Sequence, residues 1–476
     1  MLPLPALIAW LLGAVLLAAD EANAASDRWF VARLGTEAAM HPMLSLHVVS
    51  SPIPEGGGRS TVLEWTIALR RPLQGREWRI EMRRRQEERE DATGRLQSLR
   101  IEQDVDQVRT VATAAVQGER VLAEVARHGV RSARELVVPS GLTLLGTLAF
   151  QQRLAALAER SPPTAEAPWR TALLELVGGE LVVAEQRASF RGIAEDGGLG
   201  YDIASDLVPT PTALVVSRRG ELMRMDLRLG WLRFELRPAS GPVALFGAAI
   251  DAASMVAGAG PAPRGAERER YRLPEGLRVP DDAFQTQVGD IVEVRSEARA
   301  EPLAESAPWL SRTAFLEIDD PELVAWVQDA LTGRSSAEER LEALVAAVRG
   351  RITTRDLSVA DGSALDAFRT RTGDCTEHAN LLCAALRIAG IPARREIGLI
   401  RPPGAAHWVG HAWVSAWVDG RWRHADAAHP GVPRSCYIAL VAADPQSASS
   451  TGGALLAALD RLMGREIATV TDQVLP

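Results

Sequence analysis

Cys375 stands in the run Gly373-Asp374-Cys375-Thr376-Glu377-His378-Ala379, a setting that favours a reactive thiol. Asp374 and Glu377 form a capping-box pattern, which predicts a helix opening at Cys375. Ala379, Leu382, Cys383, Leu386 and Ala389 then recur at helical spacing. Gly390 ends the run and Pro392 bars its restart. A thiolate in a first helical turn meets unpaired backbone N–H groups and the positive end of the helix dipole. Cys383, on the apolar face, reads instead as a small packed side chain.

A second segment supplies an imidazole and a carboxylate. Val409 to Val418 alternates, with His411, Trp413, Ser415 and Trp417 on one face, and Asp419-Gly420 is a two-residue hairpin signal. That turn sets Trp417 opposite Trp422 and Trp413 opposite Asp426. His411 and Asp426 become diagonal neighbours, roughly 7–8 Å apart at the backbone. A thiol, an imidazole and a carboxylate in this order are the parts of a nucleophile triad. Asp426 would orient the ring of His411, which would take the proton of Cys375 and return it to a leaving group. Trp417 and Trp422 could wall the site or simply form a stabilising pair. His378, one turn after Cys375, together with Trp413 and Trp422, is expected around the triad.

These stretches resemble the transglutaminase-like superfamily, a papain-like thiol fold. The resemblance rests on Ser363-Ala364-Leu365, the Cys375 run, Ala389-Gly390-Ile391-Pro392-Ala393-Arg394, His411-Ala412-Trp413, and Asp419-Gly420-Arg421-Trp422 ending at Asp426. It implies a catalytic Cys375, His411 and Asp426 and acyl chemistry on amides. Two positions depart from many members: Ser415 replaces an acidic residue, and Arg351-Ile352-Thr353-Thr354 stands where an aromatic often supports the oxyanion. The backbone N–H of Cys375 is the first oxyanion donor expected; a second is unassigned.

Five of the eight histidines fall between His378 and His429, yet their spacing suits no helix-borne ligand pair. No metal and no cofactor are expected. The net charge of −8 is spread without long like-charge blocks, which argues against nucleic acid as a partner. All 53 cations are arginine, so the chain offers no lysine amine for crosslinking itself. With 476 residues, 47% of them hydrophobic, two or three domains with full cores are expected.

Residues 1–24 read as a signal peptide, an apolar run followed by the small-x-small site Ala22-Asn23-Ala24. Export to the periplasm or the exterior follows, with membrane anchoring if the segment is not cleaved. Three cysteines are then an odd number, compatible with a Cys383–Cys436 bridge and a free Cys375.

The fold class expected is multidomain: an antiparallel β-rich N-terminal domain (27–250), then an α+β transglutaminase-like, papain-like domain (276–476, core 305–445). The first is read from alternating runs such as Leu63-Trp65-Ile67 and Met223-Met225-Leu227. Arg83-Arg84-Arg85 with Glu87-Glu88 reads as a solvated strand end. One helix, about Leu142 to Glu159, interrupts the strands. Ala257 to Arg268, rich in Gly, Pro and Ala, reads as a linker. Val279 to Ala300 reads as a hairpin, and helices are expected after Asp320, Ser336 and Ser363. Tyr437–Val441 and Ile467–Val470 read as edge strands.

The function expected is an exported cysteine protease or amidase, or a transglutaminase-type acyltransferase. It would work through a Cys375 thioester on protein or peptide substrates, cell-wall peptides among them. Hydrolysis is favoured because water is the default acceptor. The alternative is a catalytically silent cell-envelope binding module that keeps the fold.

Overall fold

The structure is a computed structural model. It describes residues 25–442 and 461–470, except 37–38, 55–56, 74–75, 106–107, 128–129, 178–179, 208–210, 230–231, 246–247, 250–255, 301–302, 314, 355–361 and 463–464. Residues 1–24, read from the sequence as a signal peptide, therefore lie outside the described residues. The chain divides into two compact units between Ile250 and Asp251.

The N-terminal unit is a long antiparallel meander. Its strands are β1 (Ser26–Thr36), β2 (Ala39–Pro52), β3 (Arg59–Leu73), β4 (Arg76–Glu90), β5 (Leu96–Val105), β6 (Val108–Gln117), β7 (Arg120–Arg127) and β8 (Val130–Val137). After helix α1 (Thr147–Arg160) come β9 (Trp169–Val177), β10 (Glu180–Ile193), β11 (Leu199–Ser205), β12 (Thr212–Val216), β13 (Leu222–Leu229), β14 (Leu232–Ala239) and the short β15 (Ala248–Ala249). The sheet runs from β8 down to β1 and then from β14 down to β9, with β15 parallel to β3. It curls, because Leu174, Leu176 and Leu181 from one end share a core with Leu99, Ile101 and Val121 from the other.

Alternation along β4 corrects one sequence reading. Arg84, Gln86, Glu88 and Glu90 are all buried, while Arg83, Arg85 and Glu87 line the opposite face. The run is an inward polar row rather than a solvated strand end. Two of its charges are compensated across the interior: Arg84 pairs with Glu175 of β9, and Glu88 accepts from Thr147 N and Oγ1 at the start of α1. A buried charge persists only when it is paired in this way.

The C-terminal unit is α+β. Its strands are β16 (Val256–Ala259), β17 (Arg268–Arg272), β18 (Gln285–Val288), β19 (Ile291–Arg295), β20 (Ala393–Ile400), β21 (His407–Val418), β22 (Arg421–Ala425), β23 (Tyr437–Ala439) and β24 (Arg465–Thr469). They pair in the order β18-β19-β17-β24-β16-β21-β20-β23, with β22 also on β21. The helices are α2 (Pro321–Ala330), α3 (Ala337–Arg351), α4 (Ala364–Thr370) and α5 (Cys375–Ile388). All four start at the caps read from the sequence, Asp320, Ser336, Ser363 and Asp374. Helix α5 is buried along most of its length, between the other helices and Ala412, Val414, Ala416 and Val418 of β21.

Two expectations about this unit are corrected. Ala257 to Arg268 is not a linker: β16 pairs with both β21 and β24. Its small residues serve close packing rather than flexibility. Arg401 reaches the carbonyl oxygens of Ala259 and Gly260, and a Cβ on Gly258 would meet that guanidinium. The unit thus begins well before residue 276. Likewise β24 is an interior strand between β17 and β16, and only β23 of the two tail strands is an edge.

Candidate active site

Helix α5 positions Cys375 as its first residue. Asp374 accepts from Thr376 N at 2.8 Å, and Glu377 accepts from Asp374 N at 2.8 Å, closing the capping box. The second Glu377 oxygen accepts from Gly362 N. Burial, reinforced by Asp374, pushes the Glu377 carboxyl well above the usual range. The cap is thus a fixed structural device and leaves the first turn rigid.

The hairpin β21–β22 positions the other two groups. Asp419 and Gly420 both have positive φ, 50° and 79°, as a two-residue primed turn requires. The register is Val418↔Arg421, Trp417↔Trp422, Ser415↔His424 and Val414↔Ala425, so Asp426 follows directly after the ladder. His411 Nε2 lies 2.6 Å from Asp426 Oδ2. The Cys375 and His411 side chains are hydrogen-bonded to each other. With Nε2 engaged, Nδ1 is the ring nitrogen left for sulfur. Cys375, His411 and Asp426 are all buried, Cys375 being 8% exposed.

Their electrostatics are mutual. Burial works against the His411 imidazolium, but the charge of Cys375 and the hydrogen bonds to Asp426 and Cys375 raise it to about 9. Burial also disfavours the Asp426 carboxylate. The hydrogen bond and charge of His411, with the backbone N–H of His429, hold it well below the usual carboxylate range. Burial and the Asp374 charge raise the Cys375 thiol, and the charge and hydrogen bond of His411 act in the opposite direction. Contact between the thiol and the imidazole is the geometry that a thiolate–imidazolium pair requires.

The surrounding residues fall out differently from expectation. Trp413 stacks on His411 with ring centroids 6.1 Å apart. His378 turns back on its own helix, its Nδ1 donating to the Asp374 carbonyl oxygen at 2.7 Å. Trp422, expected beside the triad, packs instead in a separate cluster with Trp309, Trp417 and Phe284, under the Arg394 guanidinium. Cys383 and Cys436 form no disulfide, for they sit in different core clusters. Burial raises both thiols, Cys436 to about 11.

Sequence reasoning missed two neighbours, Glu396 and Tyr437. Glu396 of β20 accepts from Ser415 Oγ at 2.9 Å, so a carboxylate stands at that position although residue 415 itself is not acidic. Tyr437 donates its hydroxyl to Asp426 Oδ2 at 2.8 Å. His424 lies edge-on to Tyr437. Burial and the charge of Arg434 lower it to about 3, so it is neutral. Cross-strand register offered the one available signal for Glu396, since it pairs with Trp413. Nothing local marked Tyr437. Among the described residues, no group of three or more His, Cys, Asp or Glu is disposed to hold a metal ion.

Residues 324–427 match the family model for the transglutaminase-like superfamily. The chain carries a transglutaminase-like domain. The match spans helices α2 to α5 and the β20–β22 strands, and ends one residue after Asp426. No curated protein matches the chain. Among solved structures, a Cytophaga hutchinsonii protein described as a "Putative Cysteine Protease" is similar at 14% identity and TM-score 0.29, covering 43% of this chain and 86% of its own. A β-barrel-like protein from Brucella abortus, of a domain of unknown function, is similar at 13% identity and TM-score 0.34, covering 48% and 100%. Both TM-scores are too low for a shared overall fold to follow. The transglutaminase-like domain is therefore read from its own residues and the family match.

Proposed function

We propose that the chain is a cysteine enzyme that cleaves amide or peptide bonds through a Cys375 thioester, with water as the usual acceptor. One observation carries this reading: Cys375, at the start of a capped helix, is hydrogen-bonded to His411, whose Nε2 is 2.6 Å from Asp426. The thiolate would attack the carbonyl carbon, and the π electrons would move onto oxygen. The Cys375 backbone N–H is the nearest oxyanion donor by its place at the helix start. Collapse of the tetrahedral adduct would expel the amine, which takes the imidazolium proton and leaves a thioester. Neutral His411 would then deprotonate water for attack on the thioester, restoring thiolate and imidazolium and releasing the acid.

Export belongs to the same reading and rests on the residues 1–24 pattern. Protein or peptide substrates outside the cytoplasm, including cell-wall peptides, are the class this suggests. The test is turnover of an amide library by the full chain, with acid and added-amine products separated by mass. Hydrolysis products from the native chain and none from Cys375→Ala are expected. The hypothesis is falsified if Cys375→Ala retains full turnover of a substrate that the native chain cleaves. Predominant amide products with added amine would instead make transfer the reaction.

A further inference from the structure

Asp426 is held on both oxygens. Oδ1 accepts from the backbone N–H groups of Ala428 and His429, at 2.8 and 3.0 Å. Oδ2 accepts twice, from His411 Nε2 at 2.6 Å and from the Tyr437 hydroxyl at 2.8 Å. Tyr437 is fully buried and its ring is fixed edge-on by Trp413 and His424. Its backbone is fixed by β20, through the Ile400↔Tyr437 pair, and by Arg434 Nη1 on its carbonyl oxygen. The hydroxyl is therefore aimed at the one oxygen that also serves His411.

We propose that Tyr437 is a positioning residue of the triad, acting on His411 through Asp426 Oδ2. The inference rests on the reading of Cys375, His411 and Asp426 as a working triad. A donor on Oδ2 draws charge from the oxygen that faces the imidazolium. Less charge remains to stabilise the imidazolium, so His411 passes its Nδ1 proton to a leaving amine more readily. The two N–H groups on Oδ1 keep the carboxylate in place when the hydroxyl is removed. Loss of the hydroxyl then strengthens the His411–Asp426 bond rather than freeing Asp426.

The titratable and charged groups around these rings are Cys375, Asp426, His424, His429, Arg434 and Cys436. His424 stays neutral in any working range, and Arg434 stays charged. His429 lies edge-on to His411, with ring centroids 5.0 Å apart.

The experiment follows the rate of iodoacetamide alkylation of Cys375 against pH in the full chain, and needs no substrate. Native protein should react as a thiolate from low pH and show an upper bend that reports the imidazolium. Tyr437→Phe should move that bend up by about half a pH unit or more. Tyr271→Phe is the control, since the Tyr271 hydroxyl is likewise buried but donates to the Ser435 carbonyl oxygen; its bend should not move. Both are measured again with His429→Asn, so that the bend belongs to His411. An unchanged or lowered bend in a folded Tyr437→Phe protein overturns the proposal. A native Cys375 that titrates as an ordinary thiol with no second bend sinks the triad reading itself. Should Tyr437→Phe fail to fold, 3-fluorotyrosine introduced at position 437, a stronger hydroxyl donor of nearly the same shape, takes over: it should move the bend down, and an unchanged or raised bend overturns the proposal.

Discussion

At the scale of single residues, the three thiols should separate cleanly. Cys375 has an imidazole partner at a helix start, whereas Cys383 and Cys436 are fully buried with raised thiols. A thiol probe at neutral pH should label Cys375 alone, and peptide mapping of the labelled chain checks this. Cys383→Ala should leave that labelling intact while lowering stability by about 1 kcal/mol through a core cavity. The His411–Asp426 pair should also leave a pH signature in stability. His411 is raised to about 9, so its contribution is full below about pH 6.5 and is lost as the pH rises through about 9. Asp426 is lowered, so its contribution is full above about pH 4 and is lost as the pH falls toward its folded value. The Tm deficit of Asp426→Asn should therefore be widest between about pH 4 and 6.5 and shrink above about pH 9. A deficit independent of pH would show that the pair is not charged.

At the scale of elements, the approach of β23 to β20 decides where Tyr437 lies. Gly398 pairs with Ala439 on one side and with His411 on the other. A Cβ there would land on the Ile438 carbonyl oxygen, which is backbone and cannot step aside cheaply. Gly398→Ala should displace β23, cost about 1–3 kcal/mol, and slow Cys375 alkylation. Denaturant melts and probe kinetics on the same sample test both halves. Helix caps offer a contrast. Asp320 caps α2, on a helix that carries none of the three triad residues, and Asp320→Ala should cost about 1 kcal/mol without touching probe reactivity. The caps and the Asp-Gly turn were legible because each is a local hydrogen-bond or φ requirement. The β12–β13 bulge was not: it drops Met223 out of the alternating run, so Leu222 is buried in its place.

At the scale of the molecule, each unit depends on pairs far apart in sequence. In the N-terminal unit, Arg84 and Glu175 are 91 positions apart and both fully buried. Glu175→Gln should cost about 3–5 kcal/mol, because it strands a buried guanidinium; a loss under 1 kcal/mol in a urea melt would mean water reaches the pair. In the C-terminal unit, β16 pairs with β21 and β24, and β17 with β19 and β24. A fragment starting at Asp251 retains all nine strands, whereas one starting at residue 276 loses two and exposes the edges of β21 and β24. The longer fragment should melt cooperatively and the shorter should aggregate. Equal solubility and equal melts would show that β16 and β17 are dispensable.

The sequence by itself determined the site's parts and their immediate supports. Asp374 and Glu377 fix where α5 begins, and Asp419-Gly420 fixes the register that brings Asp426 to His411, because both act within a few residues. It also set two-sided alternation in the β-rich half, since one face of a strand must be buried. Only the tertiary structure decided which face took the charges of β4, that Gly258 was packed rather than flexible, and that β24 would enter the sheet interior. The same holds for the second donor on Asp426, which comes from Tyr437 on a strand reached through β20. Charge compensation, close backbone approach and strand order are set by partners dozens of residues away, and no local pattern of residue types encodes them.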